Sequence, residues 1–320
     1  MIRVLALLAL LVVAGAAAQT TKVYRIGMLE TTSESANRAN LEAFRKGLRE
    51  AGYVEFENFI INYRSTDGRA DRYPALAAEL VRARSDVIVT RGFAAARAAT
   101  QAGPIPVVMA TSADPVAAGV VKSLAHPGGN VTGMTTLVSE LAGKRLELLK
   151  ELAPDVQRVA ALLNLGNPTA DAERRQIERA AKSLEMQALI FDVRNVEDLQ
   201  RALEAAAQKK ADALLINGEA VLIANRVAIL DFARKLRLPV MYAAREYVEG
   251  GGLIAYGVSY PHLYYRAASY VDRILKGARP ADLPIEKPNK MYLVINVRAA
   301  TALGIPIPSK LLLRADELIR

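Results

Sequence analysis

The residues of this sequence that could do chemistry come shortly after its apolar runs, where predicted strands end. Arg91 and Phe93 follow the run DVIVT, Asp114 follows IPVVMA, and Glu219 follows ALLIN. An arginine presents a planar set of donors that can hold a carboxylate, and the free N–H groups at helix starts suit anionic oxygen. Arg91 and Phe93 together therefore indicate a small ligand that has a carboxylate and a flat apolar part.

Binding residues are expected wherever such strand ends converge. The predicted ligand-binding residues are Glu30, Thr31, Arg91, Gly92, Phe93, Thr111, Ser112, Asp114, Thr135, Asn164, Asn167, Asn217, Glu219, Arg245 and Tyr256. Helix capping is the alternative for several of them, because threonine, serine and aspartate are common N-cap residues. Arg91 could equally be a solvated surface charge. Both alternatives stay open at the level of the sequence.

Several kinds of chemistry are disfavoured by composition. The chain has no cysteine and only two histidines, His126 and His262, which excludes a thiolate nucleophile or a disulfide and disfavours a structural zinc site. It has none of the glycine-rich nucleotide motifs and no G-x-S-x-G nucleophile elbow. We therefore predict no catalytic residue, no metal and no cofactor. An acid–base pair formed by Asp114 and Glu219 across a cleft is the one enzymatic alternative left open.

The net charge of +9 does not point to nucleic acid. The basic residues are scattered among acidic ones, as in RRQIERAAK, and no basic run reaches five residues. Nucleic-acid-binding proteins instead concentrate lysine and arginine on one face, so no nucleic-acid partner is predicted.

The first residues are typical of a secretory signal peptide. An early arginine, Arg3, precedes an apolar stretch over 4–13, and Ala16-Ala17-Ala18 fits the A-x-A cleavage rule. The alternative is a membrane anchor, but the apolar stretch is shorter than the roughly 20 residues a spanning helix needs. A signal peptide over 1–18 and a periplasmic mature protein are predicted.

Short apolar runs alternate with amphipathic helical patterns along the rest of the chain. VYRIGML, FIINYR, DVIVT and IPVVMA are predicted strands, and RVAALLN, MQALIFDV, ALLING and PVMYA continue the pattern. Such alternation is typical of parallel sheets covered by helices, whose ligands bind at the carboxyl ends of the strands. A long helix is predicted over 138–152, and a shorter one after Asp114 with Val116, Val120 and Val121 on its apolar side.

The number of strand–helix units predicts two α/β lobes, each with its own sheet, rather than one lobe with a single sheet. Glycines cluster at 128–133 and 250–252, where hinge segments would need conformational freedom. Crossings between lobes are expected near 133–137, near 251–257 and before YLVINV. One lobe would comprise 19–134 and 254–289, and the other 135–253 and 290–320.

Five segments in order resemble one bacterial family. DPVAAGVVKSLAHPGGNVTG, KRLELLKELAP, AREYVEGGGLIAYG, AASYVDRILKGARPADLPIEKP and LVINVRAATALGIPIP resemble periplasmic solute-binding proteins of ABC importers, in the group that includes tryptophan-binding and other aromatic-amino-acid-binding members. The resemblance implies a type I periplasmic-binding-protein fold, with two Rossmann-like lobes and a three-crossing hinge. It also implies no catalysis, a monomer, and delivery of the ligand to the transmembrane subunits of an ABC permease.

The chain departs from the family pattern in three places. It reads Arg91-Gly92-Phe93 where a small residue and Thr-Pro are usual, Asn164-Leu165 where Asn-Pro is common, and Glu219-Ala220 where Asp-Pro is common. All three lie at predicted strand ends facing the cleft, so they bear on which ligand is bound. A ligand-sensing subunit for a membrane receptor is the alternative to import.

Overall fold

The structure is a computed structural model that describes residues 22–136 and 141–320. The predicted signal peptide over 1–18 lies outside the described residues, as do the first three residues of the helix predicted over 138–152. No helix among the described residues has the length and apolar character needed to cross a membrane.

The described chain alternates strands and helices, as the sequence predicts. The strands are β1 (Tyr24–Glu30), β2 (Phe59–Ser65), β3 (Val87–Arg91), β4 (Val107–Thr111), β5 (Val131–Gly133), β6 (Arg158–Leu163), β7 (Gln187–Asp192), β8 (Ala213–Ile216), β9 (Val240–Tyr242), β10 (Ile254–Gly257), β11 (Tyr292–Asn296) and β12 (Glu317–Ile319). The helices are α1 (Arg38–Glu50), α2 (Tyr73–Arg82), α3 (Phe93–Ala102), α4 (Ala142–Leu152), α5 (Ala170–Ser183), α6 (Val196–Gln208), α7 (Ala220–Ala224), α8 (Arg226–Leu236), α9 (Arg245–Glu249), α10 (Tyr260–Leu275), α11 (Val297–Leu303) and α12 (Ser309–Arg314).

The strands form two separate sheets, which confirms the two-lobe α/β fold. The first lobe has five parallel strands in the order β2-β1-β3-β4-β5, and the second has seven in the order β12-β11-β10-β9-β8-β6-β7. All neighbours in the second sheet are parallel except β10 and β11. The short edge strands β5 and β12 were not among the strands predicted from the sequence.

Apolar patterning explains why these segments adopt these structures. β3 and β4 are buried along their whole length, as central strands covered on both faces must be. In α1, Leu41, Phe44 and Leu48 are buried and fall on one face at helical spacing. Gly52, with φ of 92°, follows the end of this helix, in a conformation that glycine adopts at little cost.

Helix α10 belongs to the first lobe, although the strand before it lies in the second. It packs on α1 so closely that a Cβ on Gly47 would lie 2.7 Å from the Cβ of Ala268 and 2.7 Å from the carbonyl oxygen of Tyr265. The chain therefore crosses between the lobes at residues 258–259, between β10 and α10. The sequence expectation had placed 254–257 in the first lobe, but pairing with β9 and β11 holds this strand in the second sheet.

The other two crossings are bonded to each other. The Thr135 N–H donates to the Glu286 carbonyl at 2.9 Å, and the Glu286 N–H donates to the Gly133 carbonyl at 2.9 Å. The first crossing leaves β5 and the third leads to β11, so two segments far apart in sequence pass side by side between the lobes.

The helix predicted after Asp114 is wrong. Residues 115–119 form turns, in which the Ala118 N–H donates to the Asp114 carbonyl, and no helix is present over 114–130. Gly119 has φ of 67°, which ends the helical path after one turn. Val116 is 40% exposed, so the apolar spacing did not indicate a buried helix face.

Gly133 allows the first crossing to leave the sheet. Its φ is 123°, and a Cβ there would lie 2.2 Å from the Met109 carbonyl oxygen. We expect Gly133→Ala to lower the free energy of unfolding by about 2–3 kcal/mol, measured by urea denaturation. Gly129→Ala is the matched control, because a Cβ on Gly129 meets nothing within 4 Å. Equal effects of the two substitutions would contradict this account.

Candidate functional site

A cavity of about 130 Å³ lies between the lobes, at the carboxyl ends of strands from both sheets. Ten of the residues predicted from the sequence line it: Thr31, Arg91, Gly92, Phe93, Thr111, Ser112, Asn164, Asn167, Asn217 and Glu219. The structure thus brings together residues that are up to 188 positions apart in the chain, from Thr31 to Glu219.

Glu30 and Asp114 do not line the cavity. Glu30 is fully buried beside it and accepts hydrogen bonds from the Tyr264 hydroxyl at 2.8 and 2.9 Å. Burial raises the pKa of Glu30 to about 7. Asp114 accepts from the backbone N–H groups of Val116 and Ala117, so it caps a turn. Since Asp114 is outside the cavity, the arrangement does not present it with Glu219 as an acid–base pair.

Thr135, Arg245 and Tyr256 also lie outside the cavity lining. The Thr135 hydroxyl donates to the Ala113 carbonyl at 2.9 Å and ties the first crossing to the end of β4. The Arg245 Nε donates to Glu317 at 2.9 Å on the surface of the second lobe. Tyr256 is half-buried and packs against the core of that lobe. These three residues therefore make contacts within the protein and do not contribute to the cavity wall.

Arg91 joins the two lobes. It is 6% exposed and lies at the end of β3 in the first lobe, and its Nη2 donates to Glu246 Oε1 of α9 in the second lobe at 3.3 Å. Its Nη1 donates to Asn37 at 3.3 Å, and its guanidinium lies 4.6 Å from the centre of the Tyr260 ring. Arg91 is therefore a buried cation whose charge is already opposed by a carboxylate of the other lobe.

Two further contacts show that the cleft is closed. Asn40 of α1 donates to Glu246 at 3.4 Å. A Cβ on Gly68 of the first lobe would lie 2.6 Å from the Cβ of Ala224 of the second. The lobes thus touch around Glu246 and again between Gly68 and Ala224.

The second lobe contributes a group of carboxyl and amide side chains. Asn167 donates to the Glu219 carboxylate, and Asn217 donates to Glu173 at 3.2 Å. The Asn217 side-chain oxygen accepts from the Glu219 N–H at 3.3 Å. Burial, with a smaller effect from the Glu173 charge, raises the pKa of Glu219 to about 8.

Glu219 is the carboxyl group in the cavity with the least charge compensation. Arg91 faces Glu246, and the rim residue Arg194 pairs with Asp192 at 2.8 Å. Neither Glu173 nor Glu219 belongs to an ion pair among the described residues. The nearby charge of buried Arg145 still lowers the pKa of Glu173, although burial raises it more, whereas no cation lowers the pKa of Glu219. The cavity therefore has one carboxyl group for which the protein supplies no cation.

The first lobe faces Glu219 with hydrogen-bond donors. Helix α3 begins after Gly92, whose φ of 84° turns the chain at the end of β3, and its first N–H groups have no partner within the helix. The Ser112 hydroxyl is buried and has no hydrogen-bond partner among the described residues. Donors at a helix start favour an anionic group.

Other lining residues were not predicted from the sequence. Tyr73 and Glu173 line the cavity from helices, whereas the sequence analysis considered mainly loops after strands. Tyr260, which directly follows the second crossing, also lines the cavity. Among residues 22–136 and 141–320, no group of three or more His, Cys, Asp or Glu side chains is placed to hold a metal ion.

The family profile of ABC transporter substrate-binding proteins matches residues 25–319. This chain belongs to that family. A tyrosine-binding protein of Clostridioides difficile (strain R20291) is 24% identical over 285 residues, which are 89% of this chain and 82% of the relative.

Solved structures agree with this assignment. A conserved domain protein of Vibrio cholerae O1 biovar El Tor has a TM-score of 0.84 at 28% identity, covering 93% of this chain and 100% of that one. An ABC domain in complex with L-Trp from Streptococcus pneumoniae has a TM-score of 0.83 at 26% identity, with the same coverage. The leucine-binding protein LivK of Thermotoga maritima, at 16% identity and a TM-score of 0.56 over 79% of this chain and 83% of that one, shares the fold. This substrate-binding protein thus has the type I periplasmic-binding-protein fold, and those of the proteins named here whose names state a function are binding proteins.

The contact between Arg91 and Glu246 predicts how the lobes respond to one substitution. Glu246→Gln removes the carboxylate that opposes Arg91 in the closed form. The glutamine amide oxygen can still accept a hydrogen bond from Arg91, but a buried charge without an opposing charge is strongly destabilising, and water relieves this cost when the cleft opens. We expect the ligand-free variant to have a larger radius of gyration by X-ray scattering. Glu249→Gln, on the same helix but paired with Arg245 at the surface, should scatter like the unmodified protein. An unchanged Glu246→Gln profile would show that this contact does not hold the cleft closed.

Proposed function

We propose that this protein captures an α-amino acid between its lobes and delivers it to an ABC permease. The observation that carries the proposal is Glu219, a half-buried carboxyl group in the cavity without a cationic partner among the described residues. A buried carboxylate is costly unless it is paired. A ligand ammonium group would supply the missing positive charge.

The opposite wall suits the carboxylate of the same ligand. The start of α3 and the unpartnered Ser112 hydroxyl lie on the first lobe, across the cavity from Glu219. Arg91 also lines the cavity, and its guanidinium has further N–H groups beyond those bonded to Asn37 and Glu246. A zwitterion would then touch both lobes with opposite charges and favour the closed form, which is what a ligand must do to shift the equilibrium between open and closed states.

Size and apolar surface favour a compact side chain. Phe93, Tyr73 and Ile223 line the cavity and offer apolar walls. The volume of about 130 Å³ is close to the roughly 150 Å³ of an engineered cavity that admits benzene. We therefore infer a ligand with a branched aliphatic or single-ring side chain. The tyrosine-binding relative and the L-Trp complex support an amino-acid ligand as a class.

The wider setting follows from membership of the family. We propose that a signal peptide over 1–18 directs the protein to the periplasm, that it acts as a monomer, and that closed protein docks on the permease. Neither catalysis nor a cofactor is needed for this cycle.

Removing the Glu219 charge tests the ammonium site. We expect a thermal-shift screen of the unmodified mature protein to find stabilising α-amino acids, with single-ring and branched ligands ahead of tryptophan, because a ligand that binds the folded state raises the melting temperature by mass action. For the best ligand, Glu219→Gln should weaken affinity by roughly 10–100-fold, measured by calorimetry. Glu204→Gln, an exposed substitution on the same lobe, is the control. Stabilisation by carboxylic acids that have no amino group, with Glu219→Gln binding them equally well, would contradict the proposal.

The pH dependence of affinity gives an independent test. In the empty cavity, burial keeps Glu219 protonated below its pKa of about 8, whereas an ammonium ligand favours the ionised form. Binding below this pKa must therefore release a proton, so affinity should fall about tenfold per unit as pH decreases from 8 to 6. Calorimetry at several pH values measures this slope. Glu219→Gln should lose most of this pH dependence. An unaltered slope in the variant would show that a group other than Glu219 releases the proton.

A further inference from the structure

A second cavity lies in the second lobe, at the end of the sheet opposite the cleft. Its volume is about 560 Å³, it is partly open to solvent, and it is bordered by α8, the turn at 250–252 and α11. The cleft lies beyond the carboxyl ends of β6 and β8, whereas this cavity reaches Val240 and Leu253 at the starts of β9 and β10. The two cavities share no lining residue.

The floor of the second cavity is apolar and its rim is cationic. Small residues at 251, 252, 299 and 302 leave the space open, and three arginines contribute to the lining. Arg234 pairs with Asp231 at 2.7 Å. Arg237 and Arg298 take part in none of the ion pairs formed within 22–136 and 141–320. The apolar side chains of the floor are Leu230, Leu238, Val240, Tyr242, Leu253 and Leu303.

Arg237 and Arg298 are exposed and reach the cavity from different elements. Arg237 follows α8 at its C-terminal end, and Arg298 lies in the first turn of α11, which contains no acidic residue. The lining as a whole has three arginines and no acidic residue. Its charge therefore complements an anionic group placed at Arg237 and Arg298.

We propose that this cavity binds an amphipathic carboxylate, with its charged group at Arg237 and Arg298 and its apolar part against the leucine floor. The volume lies within the range of about 300–1,000 Å³ that is usual for small-molecule sites. It is large enough for a medium-chain or aromatic acid. This site is separate from the amino-acid cavity and does not depend on the function proposed for it.

Three compounds test the cationic rim and the apolar floor separately. Octanoate has both an apolar chain and a negative charge, 1-octanol has only the chain, and acetate has only the charge. We expect octanoate to bind with one-site stoichiometry by calorimetry, and 1-octanol and acetate to bind at least tenfold more weakly. The double variant Arg237→Ala/Arg298→Ala should lose at least tenfold in octanoate affinity. Ala302→Phe, which fills the cavity from an exposed helix position, should also lose binding while the arginines remain.

Arg179→Ala is the matched control, because it removes an exposed arginine from the same lobe outside the cavity. It should bind octanoate like the unmodified protein. Circular dichroism melting checks that the exposed substitutions leave the fold intact. The proposal is overturned if the double variant and Ala302→Phe bind octanoate normally, or if 1-octanol binds as tightly as octanoate. It is also overturned if only Glu219→Gln alters binding, because that result would place octanoate in the cleft.

Discussion

Arg91 and Glu246 bring opposite charges together from opposite lobes in a place largely closed to water. A buried charge is tolerated only where an opposite charge or several hydrogen bonds compensate it. This constraint organises the whole cleft, because the sheets must present their carboxyl ends to each other for the contact to form. Glu219 differs from Arg91 in this respect, because no cation of the protein lowers its pKa.

Helix α10 connects the hinge to the cleft. Its first residue, Tyr260, lies under the Arg91 guanidinium, and Tyr264 one turn later donates to Glu30. The helix begins directly after the second crossing and packs on α1 of the first lobe. Opening of the cleft would therefore keep Arg91 and Tyr260 together in the first lobe and would separate Arg91 from Glu246 in the second.

The alternation of strands and helices could be predicted from the sequence because burial on both faces makes parallel strands continuously apolar, as in β3 and β4. The same logic found Arg91, Asn167 and Glu219, which lie at or shortly after the ends of such strands. Residues such as Glu173 and Glu246 were missed because they lie on helices, and which helix face meets the cavity depends on packing. The helix predicted after Asp114 was wrong for a related reason. Valines at helical spacing do not have to be buried, and here the segment forms turns over 115–119.

The two bonded crossings at Gly133–Thr135 and Glu286 behave as a narrow two-stranded ribbon. Because the two segments are bonded to each other, a rotation of the lobes would have to carry both segments together. The separation of the two outer rims would then change with the same rotation that opens the interior. A partner protein that contacted both rims could distinguish a filled cleft from an unfilled one without contacting the enclosed molecule.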